Sequence, residues 1–439
     1  MIRYNHEFSD VEFYMFPELR IAGAEDETLY TKTITFQVTE ECSLRCTYCY
    51  QGCKKPNFMD FDTAKAFIDQ LFANRLDPNA AINEFNTRAI IIEFIGGEPF
   101  LCIDLIDQIC DYFEQKLFEN PDCIWVLHHM FSACSNGIAY FEPKVQAFLK
   151  KHAGFVDVTI TIDGCKELHD KCRVFPDGSP SYDIAIKAAL DLLEKGNSST
   201  KITLSPDNIC YAAKGVINML ELGFNEIMLN PVYEEGWELY HAKEAYLEYK
   251  KIADYIVSHE LQDKVYIRIF EPMSYQHRYD ENIPETNRNW CGSTSSMFAL
   301  DYQGKVYPCI RFMESSLNGE MPGYVVGDIE TGIGNTEEYK NKLDALHTLT
   351  KEQQSEQKCL DCPIESGCSW CTGYHYQHFG TIAKRAVYIC DMHKAAALAS
   401  KYFYKLCKDK DTYDKINVTW EIAKDIISRE EWGNLQWEN

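Results

Sequence analysis

The sequence predicts an α/β fold with parallel strands, followed by a smaller cysteine-rich region organised by metal. Three observations carry that prediction. At 439 residues the chain can bury a sizeable core and is long enough for two or three domains. Up to about residue 270, short β-branched runs alternate with helical patterns, which implies parallel strands joined by right-handed crossovers. From about Cys291 the texture changes, with cysteines gathering among Gly, Pro and polar residues while long periodic runs thin out.

In chain order, strands are expected at 33–38, 89–94, 125–132, 156–161, 201–204, 226–229 and 265–270. Helical spacing fills 62–72, 103–118, 182–193, 212–222 and 242–257. Residues 412–439 return to helix-like spacing and are expected to pack back as a cap. In a parallel architecture ligands collect at the carboxyl ends of the strands, so the loops there are where chemistry is sought.

Lys and Arg number 43 against 67 Asp and Glu, and the net charge of -24 disfavours nucleic acid or an anionic membrane surface as a partner. The opening residues lack the basic and apolar segments of an export signal, and no later stretch is apolar enough to span a bilayer. A cytoplasmic location is expected. Nineteen cysteines in that reducing compartment argue for thiolate chemistry or metal binding over disulfides.

Cys42, Cys46 and Cys49 follow the first strand on one loop. Three thiolates can hold three irons of a cubane and leave the fourth open to an exogenous ligand. A structural zinc knot is the alternative; it wants four ligands, and Cys53 is the nearest further thiol. After the second strand come Gly96, Gly97, Glu98 and Pro99, where paired glycines permit close backbone approach. Thr161, Asp163 and Gly164 close the fourth strand, with His169, Asp170 and Arg173 beyond. A hydroxyl and a carboxylate there suit ribose hydroxyls or a carboxylate ligand, while a turn with Asp163 capping a helix is the plainer reading. Ser135 and Asn136 after the third strand are similar in character. Downstream, Cys291, Cys309, Cys359, Cys362, Cys368, Cys371 and Cys390 supply seven thiols, more than the four a zinc ribbon needs. Cys102, Cys110, Cys123, Cys134, Cys165, Cys172, Cys210 and Cys407 fit no cluster spacing and are expected to be small buried hydrophobes.

The CxxxCxxC loop, with Tyr48 in the aromatic position before its last cysteine, closely resembles the signature of the radical S-adenosylmethionine superfamily. The later cysteines resemble its SPASM domain, and the combined likeness covers roughly residues 33–390. The resemblance implies a partial (β/α)6 TIM-like barrel followed by a small SPASM domain. It implies S-adenosylmethionine as cofactor and three [4Fe-4S] clusters, one on the first loop and two auxiliary. Gly96, Gly97 and Glu98 then match the segment that contacts the methionine amine; Thr161, Asp163 and Arg173 match the family's S-x-D-G…HD…R segment, with Thr161 replacing serine. Tyr48, Ser135 and Asn136 join them as cofactor-binding candidates. By the same likeness Cys291, Cys309 and Cys371 form one auxiliary group, and Cys359, Cys362, Cys368 and Cys390 the other. The first group is one thiolate short, and only Ser369 and Trp370 separate Cys368 from Cys371 where three residues are usual.

Enzymes of this architecture mostly modify peptides. The expected division is an extension over 1–30, a radical domain over 31–275, a SPASM domain over 276–400 and a helical tail over 401–439. The expected activity is maturation of a ribosomally made precursor peptide: hydrogen abstraction through a 5'-deoxyadenosyl radical, then a thioether crosslink. Carbon–carbon crosslinking is the second reading, with small-molecule radical chemistry and sulfatase-type formylglycine formation behind it. Ile310 after Cys309 disfavours the sulfatase branch, which places an aspartate there. Expected partners are the precursor peptide, a reductant such as flavodoxin or ferredoxin, and a separate leader-binding protein or the C-terminal region, since about thirty residues before the first strand are too few for a leader-binding domain. No general base is assigned.

Overall fold

The computed structural model describes residues 30–52, 54–271, 291–365 and 368–437. Among these, the strands are β1 (Tyr30–Thr39), β2 (Thr87–Gly96), β3 (His129–Ser135), β4 (Val156–Ile160), β5 (Ser199–Leu204), β6 (Glu226–Pro231) and β7 (Tyr266–Ile267), then β8 (Met297–Leu300), β9 (Lys305–Tyr307), β10 (Gly327–Asp328) and β11 (Gly332–Ile333). They form an eight-stranded sheet in the order β11-β10-β9-β8-β1-β2-β3-β4 and a three-stranded sheet β5-β6-β7 among the described residues. The chain divides into two compact units: unit 1 takes 1–43, 50–158 and 292–347, and unit 2 takes 44–49, 159–291 and 348–439. Cys53, an ambiguous thiol in the sequence, lies outside the described residues.

In unit 1, β1 pairs in parallel with β2, and β2 with β3. Burial along β1 is nearly continuous, including Thr35 and Gln37, as expected of a parallel strand covered on both faces. Phe36, Phe94 and Phe131 lie on adjacent strands and pack with Phe67, Phe113 and the helices of Phe61–Ala73 and Ile103–Glu119. The register sets Thr39 beside Gly96, so the chain leaves both strands at the same level. On the other edge β8 runs parallel to β1, and β9 to β11 continue antiparallel. The stretch carrying Cys309 is thereby part of the same sheet as the first strand. The expected strand at 125–132 is instead a 3-10 turn, Ile124–Val126, followed by β3. The turn buries Trp125 completely and lets its indole N–H donate to the Thr87 carbonyl at 2.9 Å.

In unit 2, β5, β6 and β7 are parallel, and Thr161 makes an isolated parallel bridge to Lys201. The expected strand at 265–270 is only the two residues of β7 followed by a 3-10 turn. Gly164 has φ of +65°, and a Cβ there would lie 2.3 Å from the Gly215 Cα, so glycine is what lets helix Ala212–Leu222 sit on the turn after Thr161. Helix Cys390–Leu406 packs along helix Leu239–Ser258, with Phe403 stacked 4.5 Å from Phe270. The tail does pack back. Lys401 donates to the Tyr413 and Ile416 carbonyls at the end of helix Lys410–Lys415, and the Tyr246 hydroxyl donates to Glu431 at 2.9 Å. Among the described residues no helix is long and apolar enough to cross a membrane.

Candidate cluster and cofactor site

The sequence-predicted residues fall into two networks, one in each unit. In unit 1 the glycines after β2 are required by the chain itself. A Cβ on Gly96 would lie 2.3 Å from the Thr39 carbonyl oxygen, and one on Gly97 2.1 Å from that of Glu41 and 2.8 Å from the Cys42 Cβ. The backbone N–H groups of Gly97 and Glu98 donate to those same two carbonyls at 2.9 Å. The start of the cysteine loop is thus pressed against the Gly-Gly turn, which any side chain would push away. Glu98, 1% exposed, accepts from the Phe100 N–H at 3.1 Å, the Ser135 hydroxyl at 2.8 Å and the Asn136 N–H at 2.8 Å. Asn136 in turn directs its carboxamide N–H at the Ser43 hydroxyl, 3.0 Å away, and at the Cys42 sulfur, 3.7 Å away. Cys42, Gly96, Gly97, Glu98, Ser135 and Asn136 are one contiguous group. Ser43 belongs to it too; nothing in the sequence singled it out.

In unit 2 the rest of the loop, Leu44 to Cys49, is tied to the segment around Arg173. The Arg45 N–H donates to the Val174 carbonyl at 2.7 Å and the Thr47 N–H to that of Cys172 at 2.9 Å. Between Cys46 and Cys49, the Tyr48 hydroxyl donates to Asp163 Oδ2 and accepts from Arg173 Nη1 at 3.0 Å. Asp163 has no exposed surface, and its Oδ1 accepts the Thr203 N–H at 2.9 Å. Burial raises the Asp163 carboxyl above its usual range, opposed by the Arg173 charge and the Tyr48 hydroxyl. Burial also acts against the Arg173 charge, but Tyr48, Cys46 and Asp163 together hold that guanidinium firmly protonated. Among the described residues Arg173 Nε, a buried donor, has no partner. Such a donor beside a thiol loop suits an anionic ligand.

The capping alternative for Asp163 does not hold: the helix that follows it, Lys166–Cys172, has Cys165 at its N-cap with no side-chain cap bond, and both Asp163 oxygens are turned to Thr203 and Tyr48. His169 Nδ1 accepts the Asp163 N–H, which leaves the proton on Nε2 to bond Ser181 Oγ at 3.0 Å; that hydroxyl donates to the Arg173 carbonyl at 2.6 Å. Burial, then the Arg173 charge, drives His169 down to about 3, so it stays neutral. Thr161 is buried next to this group, at the bridge to Lys201.

Of the later thiols, Cys309 follows β9 in unit 1, and the others belong to unit 2. Cys359, Cys362, Cys368 and Cys390 come together: Cys362 feels the charges of Cys368 and Cys359, and Cys390 those of Cys368 and Cys362. Arg385 Nη2 donates to Cys368 Sγ at 2.7 Å while its guanidinium stacks 4.3 Å from Trp370. Burial alone would raise that thiol, but His393, Arg385 and Lys351 pull it down to about 6, the thiolate form a soft metal requires. Burial holds Cys390, at the head of its helix, up to about 11. Cys291 and Cys371 both act on Tyr233, whose hydroxyl bonds Ser369 at 3.2 Å. Sequence reasoning missed Arg385 and Tyr233, which lie far along the chain from the thiols they meet. Of the eight cysteines without cluster spacing, Cys110, Cys123, Cys165 and Cys172 are buried as expected, while Cys102, Cys134 and Cys407 are only half-buried; burial pushes Cys102 and Cys123 up to about 11 and about 12. Cys210 is exposed, against that expectation.

A family described as a 4Fe-4S single cluster domain matches residues 32–175, which include the Cys42 loop and Arg173. The radical SAM cyclopropyl synthase TigE of Paramaledivibacter caminithermalis is 23% identical over 408 residues, 88% of this chain and 77% of that protein. The solved structure of anSMEcpe with bound AdoMet and Cp18Cys peptide superposes with a TM-score of 0.62 at 16% identity, covering 86% of this chain and 98% of that one. Streptococcus suis SuiB bound to precursor peptide SuiA gives a TM-score of 0.54 at 12% identity, covering 88% and 83%. The chain shares their α/β fold with parallel strands. Taken with the cysteine loop and the cluster-domain match, these relatives make the chain an enzyme that uses S-adenosylmethionine and a 4Fe-4S cluster, similar to the radical SAM cyclopropyl synthase in sequence and to the two solved structures in fold.

Proposed function

We propose that the chain matures a ribosomally made precursor peptide by forming a thioether between a cysteine sulfur and a carbon of the peptide. Cys42, Cys46 and Cys49 would hold the cluster whose open iron takes S-adenosylmethionine. Bound there, the cofactor supplies the 5'-deoxyadenosyl radical that abstracts hydrogen from the peptide. The residues around it have distinct tasks. Arg173 Nε, buried and without a partner among the described residues, offers a donor for the methionine carboxylate. Gly96 and Gly97 keep the loop close to β2, and Asn136, with Glu98 and Ser135 behind it, directs its carboxamide at Cys42, while Thr161 would bind the cofactor from unit 2.

The observation that supports a crosslinking oxidation is the second thiolate assembly. Joining C–H and S–H into C–S removes two hydrogens; one leaves with the radical, and the other departs as the thiol proton, released to solvent, and one electron that needs an acceptor. Cys359, Cys362, Cys368 and Cys390, with a cation on Cys368, fit an auxiliary cluster in that role. Cys291, Cys309 and Cys371 are assigned to a second auxiliary cluster, open to a substrate thiolate. The peptide reading is supported by the peptides named with anSMEcpe and SuiB. Flavodoxin or ferredoxin would deliver the electron that starts the reaction, in the cytoplasm, with the leader held by the tail or by a separate protein.

Carbon–carbon bond formation is the second reading, favoured by the cyclopropyl synthase among the relatives. Anaerobic reconstitution should give about twelve irons per chain. Incubation with a precursor peptide from the neighbouring genes then separates the bonds: a thioether product resists thiol alkylation, and a carbon–carbon product still alkylates. Four irons, or zinc on the C-terminal thiols, would overturn the three-cluster assignment.

A further inference from the structure

Asp163 stands where a contact to the cofactor is expected, yet the structure gives it another occupation. It has no exposed surface, and each of its oxygens already accepts a bond, one from the Thr203 N–H at 2.9 Å and one from the Tyr48 hydroxyl. Thr203 belongs to β5, so the carboxylate is anchored to a strand paired along its length with β6. Tyr48 lies between Cys46 and Cys49, so its bond to Asp163 ties down that short stretch. The backbone is fixed at the same place by Arg45 and Thr47 donating to Val174 and Cys172, on either side of Arg173. Arg173 donates to the Tyr48 oxygen at 3.0 Å, and its own carbonyl is held by Ser181, which is held by His169.

We propose that Asp163 is a positioning residue: through Tyr48 it fixes Cys46 and Cys49 at cluster spacing before metal or cofactor arrives. This rests on the assignment of Cys42, Cys46 and Cys49 to the cluster and deepens it. Without such a tie, three neighbouring thiolates repel one another and a short loop spreads, so the ordering cost falls on metal binding. With it, the cost is met by the folded strands. Asp163 then governs how firmly the cluster is kept, whereas a residue touching the ribose would govern how tightly the cofactor binds.

The test uses the full chain with Tyr48→Phe, Asp163→Asn and both changes together, reconstituted anaerobically and challenged with an iron chelator. The readout is decay of the S-adenosylmethionine-responsive EPR signal, followed beside the signals of the C-terminal clusters. Tyr48→Phe should lose the responsive signal about tenfold faster, the worth of one charge-assisted hydrogen bond, and Asp163→Asn at least as fast, since it also removes a counter-charge of the buried Arg173. The pair should be no faster than the worse single variant, because both cut the same link, and the C-terminal signals should keep the wild-type rate. Amide exchange over residues 44–49 in the metal-free protein should rise in all three, a reading that needs no cluster. Wild-type decay in both single variants, multiplicative effects in the pair, or a raised KM for S-adenosylmethionine with unchanged decay would overturn the positioning role and leave the enzyme assignment standing. A wild-type chain with no responsive signal at all would instead defeat the cluster assignment.

Discussion

In unit 1 the carboxylate of Glu98 is held by neutral donors, two backbone N–H groups and a serine hydroxyl, all from turns at the ends of neighbouring strands. In unit 2 the carboxylate of Asp163 is held by a backbone N–H and a phenol, and a buried guanidinium bonds that same phenol. Both are closed to solvent, and both sit against part of one cysteine loop. The difference lies in what each loses when a partner goes. Neutral donors that are mostly backbone cannot be mutated away singly, so the first network is robust. The second balances buried charges, and removing one leaves the other stranded. A firm footing for Cys42 and a charge-coupled one for Cys46 and Cys49 follow from that contrast.

The largest effect should come from the thiols that draw on both networks. Replacing Cys42, Cys46 and Cys49 by Ala should abolish 5'-deoxyadenosine formation and drop iron from about twelve to about eight per chain, measured by product chromatography and iron assay. Persistent cofactor cleavage would remove the loop from the chemistry. Next comes Arg173→Met, which strands Asp163 and should destabilise the metal-free chain by about 3–5 kcal/mol in urea denaturation. Loss below about 1 kcal/mol would mean Asp163 takes up a proton at little cost and the networks are alike after all.

Glu98→Gln sharpens the contrast from the other side. One carboxamide oxygen can still accept, while the amide N–H₂ faces a donor it cannot pair, so the cost should be about 1–3 kcal/mol. The same denaturation series reads it, and a cost equal to that of Arg173→Met would erase the distinction drawn here.

How much of this was legible in the sequence depended on range. β1, β2, β5 and β6 were visible because β-branched runs declare parallel strands locally. The Cys42 loop, the Gly96–Gly97 turn and Arg173 were visible as spaced motifs. β8 to β11 were not, because segments of two to four residues carry too little periodicity and become strands only by pairing, β8 onto β1 from hundreds of residues earlier and β9 to β11 onto one another in turn. The roles inside the motifs were hidden for the same reason. Tyr48, Asp163 and Arg173 were each marked as facing the cofactor, and nothing local reveals that they face one another. Likewise nothing local reveals that Arg385 bonds Cys368 while stacking on Trp370.

The smallest effect is a slope, and of the two networks only the one in unit 2 gives it, because a histidine is built into that network. His169 is driven from its ordinary value to about 3 by burial first and Arg173 second, so the folded chain keeps it neutral where the unfolded chain protonates it. Between about pH 6.5 and 3 the unfolded state therefore binds one more proton, and folding weakens as pH falls through that window by at most about 1.4 kcal/mol per unit. Above pH 6.5 both states are neutral and the contribution is fully present. His375, also lowered to about 3 by burial, adds a similar slope. Wild type and His169→Gln must therefore be compared directly. Glutamine can accept the Asp163 N–H and donate to Ser181 without titrating, so the variant's stability should fall less steeply below pH 6.5 by about one proton's worth, in denaturant titrations of the metal-free chain. Identical slopes would mean that His169 takes up its proton in the folded state as readily as in the unfolded one, and that the link from Asp163 to Ser181 does not hold it neutral.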